Sequence, residues 1–404
     1  MRVGAASKDD ASFVTQGDQD DVSILVLGTA DWDQSIATNQ HYAVRELAAD
    51  YDVTFVESMG LRRPTFSRRD IARAVRRLRR VAGTVGHASW REIPSRVTVA
   101  SPMTVPVHHW PFTAVNRAGL AWSVRRWRRS GELRVLWAYT PTTYGLERYA
   151  DFVVYHCVDL LGSFPGVDQV VVERAETRLA RRCDVAGASS EAVAEHLRAA
   201  GFQTVRNWPN VADVEKFIGF PGSASLREER SAAFAGNLNS KKVDFAAMHL
   251  VLDAGYRLHL AGPISEGGGN DRLLVRELVE RGAVHHGLLG PDDLAQLLRK
   301  CTIGLIPYLD TPYTRGVSPL KTFEYLAAGL HVVSLGVPSV ESRPRHVDVL
   351  DTRDELVQVL SRIEVAPSAE DVGAREAIAL QHSWATRGRE MRAVVKGSKP
   401  RDAV

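Results

Sequence analysis

The sequence predicts an α/β protein made of two domains joined by a linker, and three observations carry this reading. At 404 residues the chain is long for one core and natural for two. Short apolar runs of strand type alternate with helix-period stretches in both halves. Between them NWPNVADVEKF, Asn207 to Phe217, is rich in turn formers and lacks periodicity, so it reads as a linker. The expected limits are a disordered tail over 1–21, a first domain over 22–206, a linker over 207–230, a second domain over 231–373, and a C-terminal helix and tail over 374–404.

Composition narrows the class. Apolar residues make up 45% and charged residues 25%, as in an ordinary globular chain. Cys157, Cys183 and Cys301 lie far apart, with neither a paired framework nor metal-ligand spacing. That suits a reducing compartment and implies no zinc or iron–sulfur site. The first twenty residues are polar and acidic, unlike a secretory leader, and no apolar run reaches the ~18 residues of a spanning helix. A cytoplasmic protein that can still touch a membrane is expected.

In the first half, Ser23 to Leu27 is an apolar run ended by Gly28, followed by a helical pattern from Gln40 to Ala49 and a strand from Val53 to Val56. Strand, loop, helix, strand describes a parallel unit whose loop GTADWDQSIATNQH lies at the ligand-facing end. Long polar loops carry function more often than packing. Arg134 to Ala138 and Phe152 to Tyr155 read as further strands, the second running through His156, Cys157 and Val158 to Asp159. A carboxylate just past a buried strand sits where open α/β sheets hold their chemistry; the plainer alternative is that Asp159 caps the next turn. A helix from Val170 to Leu179, a strand in CDVAGASS and a Ser190-capped helix ending near Gly201 complete this half.

From Leu61 to Arg134 seventeen arginines stand against only Asp70, Glu92 and Glu132. Ser67 to Val81 places Ile71, Ala74, Val75, Leu78 and Val81 on one helical face, and Arg117 to Arg129 repeats the idea with Leu120, Val124 and Trp127. Basic amphipathic helices with tryptophan suit an anionic membrane surface; a solvated face packed on a core fits each helix alone equally well. Nucleic acid is disfavoured, because no recognition motif accompanies the charge and the whole chain carries only +3.

In the second half, Ala233 to Gly236 opens into GNLNSKK and a helix, and Arg257 to Gly262 opens into GPISEGGGN. Glycine lets backbone approach a ligand, so Gly236 is a candidate contact, although neither a GxGxxG fingerprint nor a Walker lysine is present. Lys241 and Lys242 behind it are phosphate candidates, one of them expected to face solvent. Strands at Val284 to Gly290 and Thr302 to Pro307, followed by Tyr308, lead to Ser318 to Gly336, SPLKTFEYLAAGLHVVSLG. Ser318 suits an N-cap, Pro319 the first helical position, and Gly329 a left-handed stop before Val332 and Val333. Leu320, Phe323, Ala327 and Leu330 recur at helical spacing. Lys321 then falls in the first turn, where the helix dipole disfavours a cation, so a lysine there makes most sense beside a bound anion. Glu324, one turn on, could accept hydrogen bonds from a ribose. A helical tail from Ala374 to Val395 carries Trp384 as an anchor.

Two α/β halves, a central linker and a phosphate-type helix late in the second half resemble the GT-B glycosyltransferases, with two Rossmann-like domains facing a central cleft. The chain is similar to the xanthan-type glucuronosyltransferases and the teichuronic-acid-type bacterial glycosyltransferases, in separated patches from Ser23 to Trp384. PYLDTPYTRGVSPLKTFEYLAAGLHVV resembles their donor-binding segment, in which a lysine at the position of Lys321 meets the nucleotide diphosphate. TNQHYAV resembles the start of their first helix, and VVYHCVDLLGSF a segment whose aspartate, here Asp159, is the base in inverting members. The spacing from Asn210 to Asp213 is similar to that of their linker motif. Eight residues before Glu324, where many retaining GT-B enzymes carry a second glutamate, stands Gly316, which favours inversion.

The resemblance implies transfer of a sugar from a nucleotide-diphosphate sugar to a lipid-linked or cell-envelope glycan hydroxyl. No cofactor or metal is expected beyond the donor, and the protein would lie peripherally on the inner face of the plasma membrane. Lys321, Glu324, Ser318, Gly236, Lys241 and Tyr308 would bind the donor, and Asp159 would act as the base. Asn39 and His41 would face the acceptor, with a purely structural histidine equally open. The competing expectation is a catalytically idle nucleotide-sugar-binding scaffold of a glycan assembly complex.

Overall fold

Ile24 to Leu27 can form a strand because a parallel sheet covered on both faces buries every side chain of such a run, and all four are fully buried. They belong to β1 (Val22–Leu27) in a computed structural model that describes residues 22–34, 37–60, 91–102, 112–130, 132–164, 166–219, 227–264, 270–363 and 367–398. The tail expected over 1–21 and the basic helix expected over 67–81 lie outside the described residues.

The first sheet adds β2 (Asp52–Val56), β3 (Val97–Ala100), β4 (Leu133–Ala138), β5 (Phe152–Cys157), β6 (Val185–Ala188) and β7 (Val205–Asn207) in the order β3-β2-β1-β4-β5-β6-β7, with every pairing parallel. The second sheet holds β8 (Ser231–Ala235), β9 (Arg257–Ala261), β10 (Val284–Gly287), β11 (Ile303–Pro307), β12 (His331–Leu335) and β13 (Val347–Leu350) in the order β10-β9-β8-β11-β12-β13, again parallel. Strand order reverses between β1 and β4 and between β8 and β11. In open α/β sheets ligands bind outside the carboxyl ends of the strands at such a reversal. The loops after β1 and β4 and after β8 and β11 lie at these reversals, and the loop after β5 leaves the strand next to β4.

Helices cover the sheets: α1 (Asn39–Leu47), α2 (Phe112–Ser123), α3 (Arg125–Arg128), α4 (Gln169–Ala180) and α5 (Glu191–Ala199) in the first half. In the second half come α6 (Phe245–Asp253), α7 (Asp271–Glu280), α8 (Pro291–Lys300), α9 (Pro312–Arg315), α10 (Lys321–Ala327), α11 (Arg353–Arg362), α12 (Ala369–Gln381) and α13 (Trp384–Lys396). Ser190 caps α5 through Val193 N–H, and Gly201 follows it at φ 99°.

Three expectations are corrected here. The helix at Lys321 does not start at Ser318; it starts at Lys321 itself, with Leu320 before it and no side-chain cap, because the Ser318 hydroxyl is engaged elsewhere. Its buried face is Thr322, Tyr325, Leu326 and Ala327, while Phe323 instead stacks 4.1 Å from His382. The expected helix from Arg117 to Arg129 is broken at Val124 into α2 and α3. Its apolar face does pack on the core: Leu120, Val124 and Trp127 are buried, and Trp127 Nε1 donates to the Ser23 carbonyl at 3.1 Å.

The chain crosses between domains twice. After α12 it returns to the first domain, where Trp384 is buried and stacks on Tyr42 at 5.3 Å, and Met391, Val394 and Val395 join the core beneath α1. Arg392 bonds the Glu46 carbonyl and pairs with Asp50. Where the crossings meet, Ala212 and Ser383 form a parallel bridge.

Candidate functional site

The donor-side wall begins at β8, which ends in Gly236. That residue has φ 154°, and a Cβ there would fall 2.5 Å from Lys321 Nζ. Gly262, at φ 141°, lies so close that its own Cβ would reach 2.0 Å from the Gly236 carbonyl oxygen. Two glycines thus open the space into which Lys321 reaches. The α10 helix is pinned to β8 because the Ala235 N–H donates to the Tyr325 hydroxyl at 2.8 Å.

Lys321 and Lys242 both approach the Tyr308 ring. Lys321 Nζ is 4.5 Å from the Phe234 ring and 5.3 Å from that of Tyr308; Lys242 Nζ is 4.4 Å from Tyr308 and 5.5 Å from Tyr313. Aromatic faces attract an ammonium without neutralising it, so both charges stay available to an anion. Burial lowers the Lys321 ammonium to about 8, against the pull of Glu324. Burial likewise raises Glu324 to about 7, with Lys321 opposing and Asp213 adding to the rise. Of the adjacent lysines, Lys242 meets the aromatic rings and Lys241 is exposed, its backbone N–H donating to Asn239 Oδ1 at 2.9 Å.

Across the cleft, β5 delivers Asp159. Burial raises its carboxyl to about 6, with Lys242 pulling the other way. Among the described residues its carboxylate takes no hydrogen bond, and the helix that follows is capped by Asp168. Phe164 of the same loop lies 5.6 Å from Tyr313, and a Cβ on Gly316 would come within 3.1 Å of Leu160 Cδ1. The Asp159 loop therefore occupies the ground beside Gly316.

The loop after β1 is fixed by side chains the sequence reading passed over. Gln40 Oε1 accepts from Thr29 N–H at 2.8 Å, and buried Glu57 accepts from Trp32 N–H at 2.9 Å and the Ser101 hydroxyl at 2.5 Å. His41 has both ring nitrogens in local use: Nδ1 faces Thr38 N–H at 3.1 Å and Nε2 the Asp31 carbonyl at 3.2 Å. Burial, helped by Arg91, lowers it to about 4, so it is a neutral ring between Trp32 and Phe55. Asn39 donates to Asn210 Oδ1 at 2.6 Å, and Asn210 Nδ2 donates to the Ser318 carbonyl at 2.8 Å. The geometry thus gathers Lys321, Lys242, Tyr308, Gly236 and Glu324 on one wall, sets Asp159 opposite, and makes Ser318, Asn39 and His41 part of the frame. Tyr313 and Asn210 stand inside stretches the sequence marks, the donor-type segment and the linker spacing, but their contacts here come only with the fold.

The chain resembles known proteins in sequence and in fold. Residues 245–393 match a family model described as glycosyl transferase-like. The putative teichuronic acid biosynthesis glycosyltransferase TuaH of Bacillus subtilis (strain 168) is 27% identical over 208 residues, 47% of this chain and 51% of that protein. The match thus spans about half the length of that curated relative. Among solved structures, HepE of Anabaena in complex with UDP and glucose superposes with TM-score 0.60 at 14% identity, over 93% of this chain and 99% of that one. Sucrose-phosphate synthase of Thermosynechococcus elongatus gives 0.64 at 13%, over 93% and 98%. The chain thus shares the two-domain fold of these solved structures, and its residues 245–393 are glycosyl transferase-like.

Proposed function

We propose that the protein transfers a sugar from a nucleotide-diphosphate sugar to a hydroxyl of a lipid-linked or cell-envelope glycan, with inversion at the anomeric carbon. One observation carries the reading: two lysines lie near the Tyr308 ring at the carboxyl ends of β8 and β11, opposite a carboxylate that takes no hydrogen bond from the described residues. As the bond from the anomeric carbon to the diphosphate oxygen breaks, negative charge grows on the leaving group, and Lys321 and Lys242 stabilise it. Protein cations thereby fill the role that a metal serves elsewhere. Asp159 takes the proton of the acceptor hydroxyl as its oxygen attacks the opposite face. Gly316 bears no second carboxylate on the donor side, and a Cβ there would already press on Leu160 at 3.1 Å. The UDP bound to HepE and the name of the teichuronic acid relative support the donor and acceptor classes.

The same reading puts the protein on the cytoplasmic face of the plasma membrane. Along α2, Phe112, Val115 and Trp122 are exposed, Trp122 at 64%, and Arg117, Arg125, Arg126 and Arg129 are exposed with them. Apolar side chains among arginines fit an anionic bilayer. Asn116, on the buried side of this helix, donates to the Tyr144 hydroxyl at 3.0 Å in the loop after β4. Among the described residues no helix is long and apolar enough to cross a membrane.

The test is a screen of nucleotide sugars by thermal shift, followed by turnover and the anomeric configuration of the product. A ligand at 100 times its dissociation constant stabilises the fold by ~2.7 kcal/mol. Stabilisation with release of nucleoside diphosphate supports an enzyme. Binding without turnover would leave an idle scaffold, and no binding would refute both.

A further inference from the structure

The three backbone carbonyls of residues 316–318, directly before the Lys321 helix, are each held by a side chain. The Ser190 hydroxyl donates to Gly316 at 3.1 Å, the Ser339 hydroxyl to Val317, and Asn210 Nδ2 to Ser318 at 2.8 Å. Only Ser339 belongs to the second domain. Asn210 also donates its backbone N–H to the Ser318 hydroxyl at 3.1 Å, while its Oδ1 accepts from Asn39 at the start of α1. One linker residue therefore ties the first helix of one domain to the strap that leads into Lys321 of the other. The strap also touches Leu160, next to Asp159, at Gly316.

We propose that Asn210 is a positioning residue for sugar transfer: by seating residues 316–318 against the first domain it sets the distance between Asp159 and the donor lysines. The inference rests on the function proposed above. Gly316, Val317 and Ser318 are all buried, so a carbonyl that loses its donor is left unsatisfied unless the strap moves to meet water. A shift of about 1 Å between base and leaving group can cost on the order of a hundredfold in rate. The diphosphate contacts, Lys321, Lys242, Tyr308 and Gly236, all lie within the second domain and do not depend on the tie.

The expected signature is a split. In the full-length chain, Asn210→Ala and Asn210→Asp lower turnover of the accepted nucleotide sugar about tenfold to a hundredfold, with UDP affinity by calorimetry unchanged within about twofold. Asp retains the acceptor for Asn39 but not the donor to Ser318, so it should fall with Ala. Asn39→Ala, which leaves the Ser318 contacts in place, should fall less. Small-angle scattering without substrate should give a larger radius of gyration for Asn210→Ala than for the wild type. Retained turnover, or UDP affinity lost in parallel with turnover, would overturn the proposal. If the wild type neither binds UDP nor turns over any nucleotide sugar, the function reading fails on its own. Scattering then decides the tie, and identical curves would refute it.

Discussion

Lys321 carries the sharpest quantitative expectation, because burial leaves its ammonium titrating near 8, within reach of ordinary buffers. A bound diphosphate stabilises the charged form, so binding requires a proton that the free site loses as pH rises. At about pH 7 roughly nine sites in ten hold that proton, and at about pH 9 roughly one in ten does, which predicts about tenfold weaker nucleoside-diphosphate binding across the interval. The sign is fixed: affinity falls with rising pH. Glu324, near 7, ionises early in the same window and draws Lys321 upward, so Glu324→Gln should move the fall to lower pH. Replacing the lysine removes its contact and its own share of the slope. A charge-assisted hydrogen bond is worth ~1.5–3 kcal/mol, so Lys321→Ala should weaken UDP about tenfold to a hundredfold and leave only the slope that Glu324 ionisation gives. Isothermal calorimetry of both proteins at a series of pH values reads this directly. Equal slopes for wild type and Lys321→Ala, or an unchanged dissociation constant, would refute the argument.

Asp159→Asn should lose about 10²–10⁴-fold in transfer while keeping donor affinity, and wild-type turnover should rise as pH passes through about 6. Because the folded carboxyl titrates above its unfolded value, its ionisation costs stability as pH climbs from about 4 to 6, so the Asn variant should melt higher than wild type at neutral pH. Gly236→Ala should fold yet lose UDP binding, because the new methyl falls on Lys321 Nζ at a φ that side chains rarely adopt; calorimetry beside circular dichroism checks it. Arginines contribute ~1 kcal/mol each near an anionic surface, so Trp122→Ser with Arg125, Arg126 and Arg129 changed to Gln should release the protein from anionic liposomes while UDP binding is kept. Wild-type protein that never co-sediments at low salt would dispose of the membrane reading.

What the sequence could disclose was set by the range of each interaction. Buried runs such as Ile24 to Leu27 report their strands directly, and the lysine at 321 and the aspartate at 159 are marked by position along an element. Ser318 misled because its hydroxyl answers Asn210, 108 residues earlier, and not its own helix. Nothing local to the Lys241 and Lys242 pair tells which one turns inward; the rings of Tyr308 and Tyr313 decide it, and they arrive from another loop. The break at Val124 is equally silent, since its apolar period continues through it to Trp127.

The return of the last helix has a consequence for how the protein comes into being. Trp384, Met391, Val394 and Val395 complete the core under α1, yet they are made more than three hundred residues after it. A ribosome that has finished the first domain's own strands has not supplied the side chains that seal them. The second domain, whose core draws on a contiguous stretch of chain, can close first. The half that would receive the acceptor thus reaches its final packing only after α13 has been made, and the cleft between the halves is assembled from a finished wall and one still waiting for that helix.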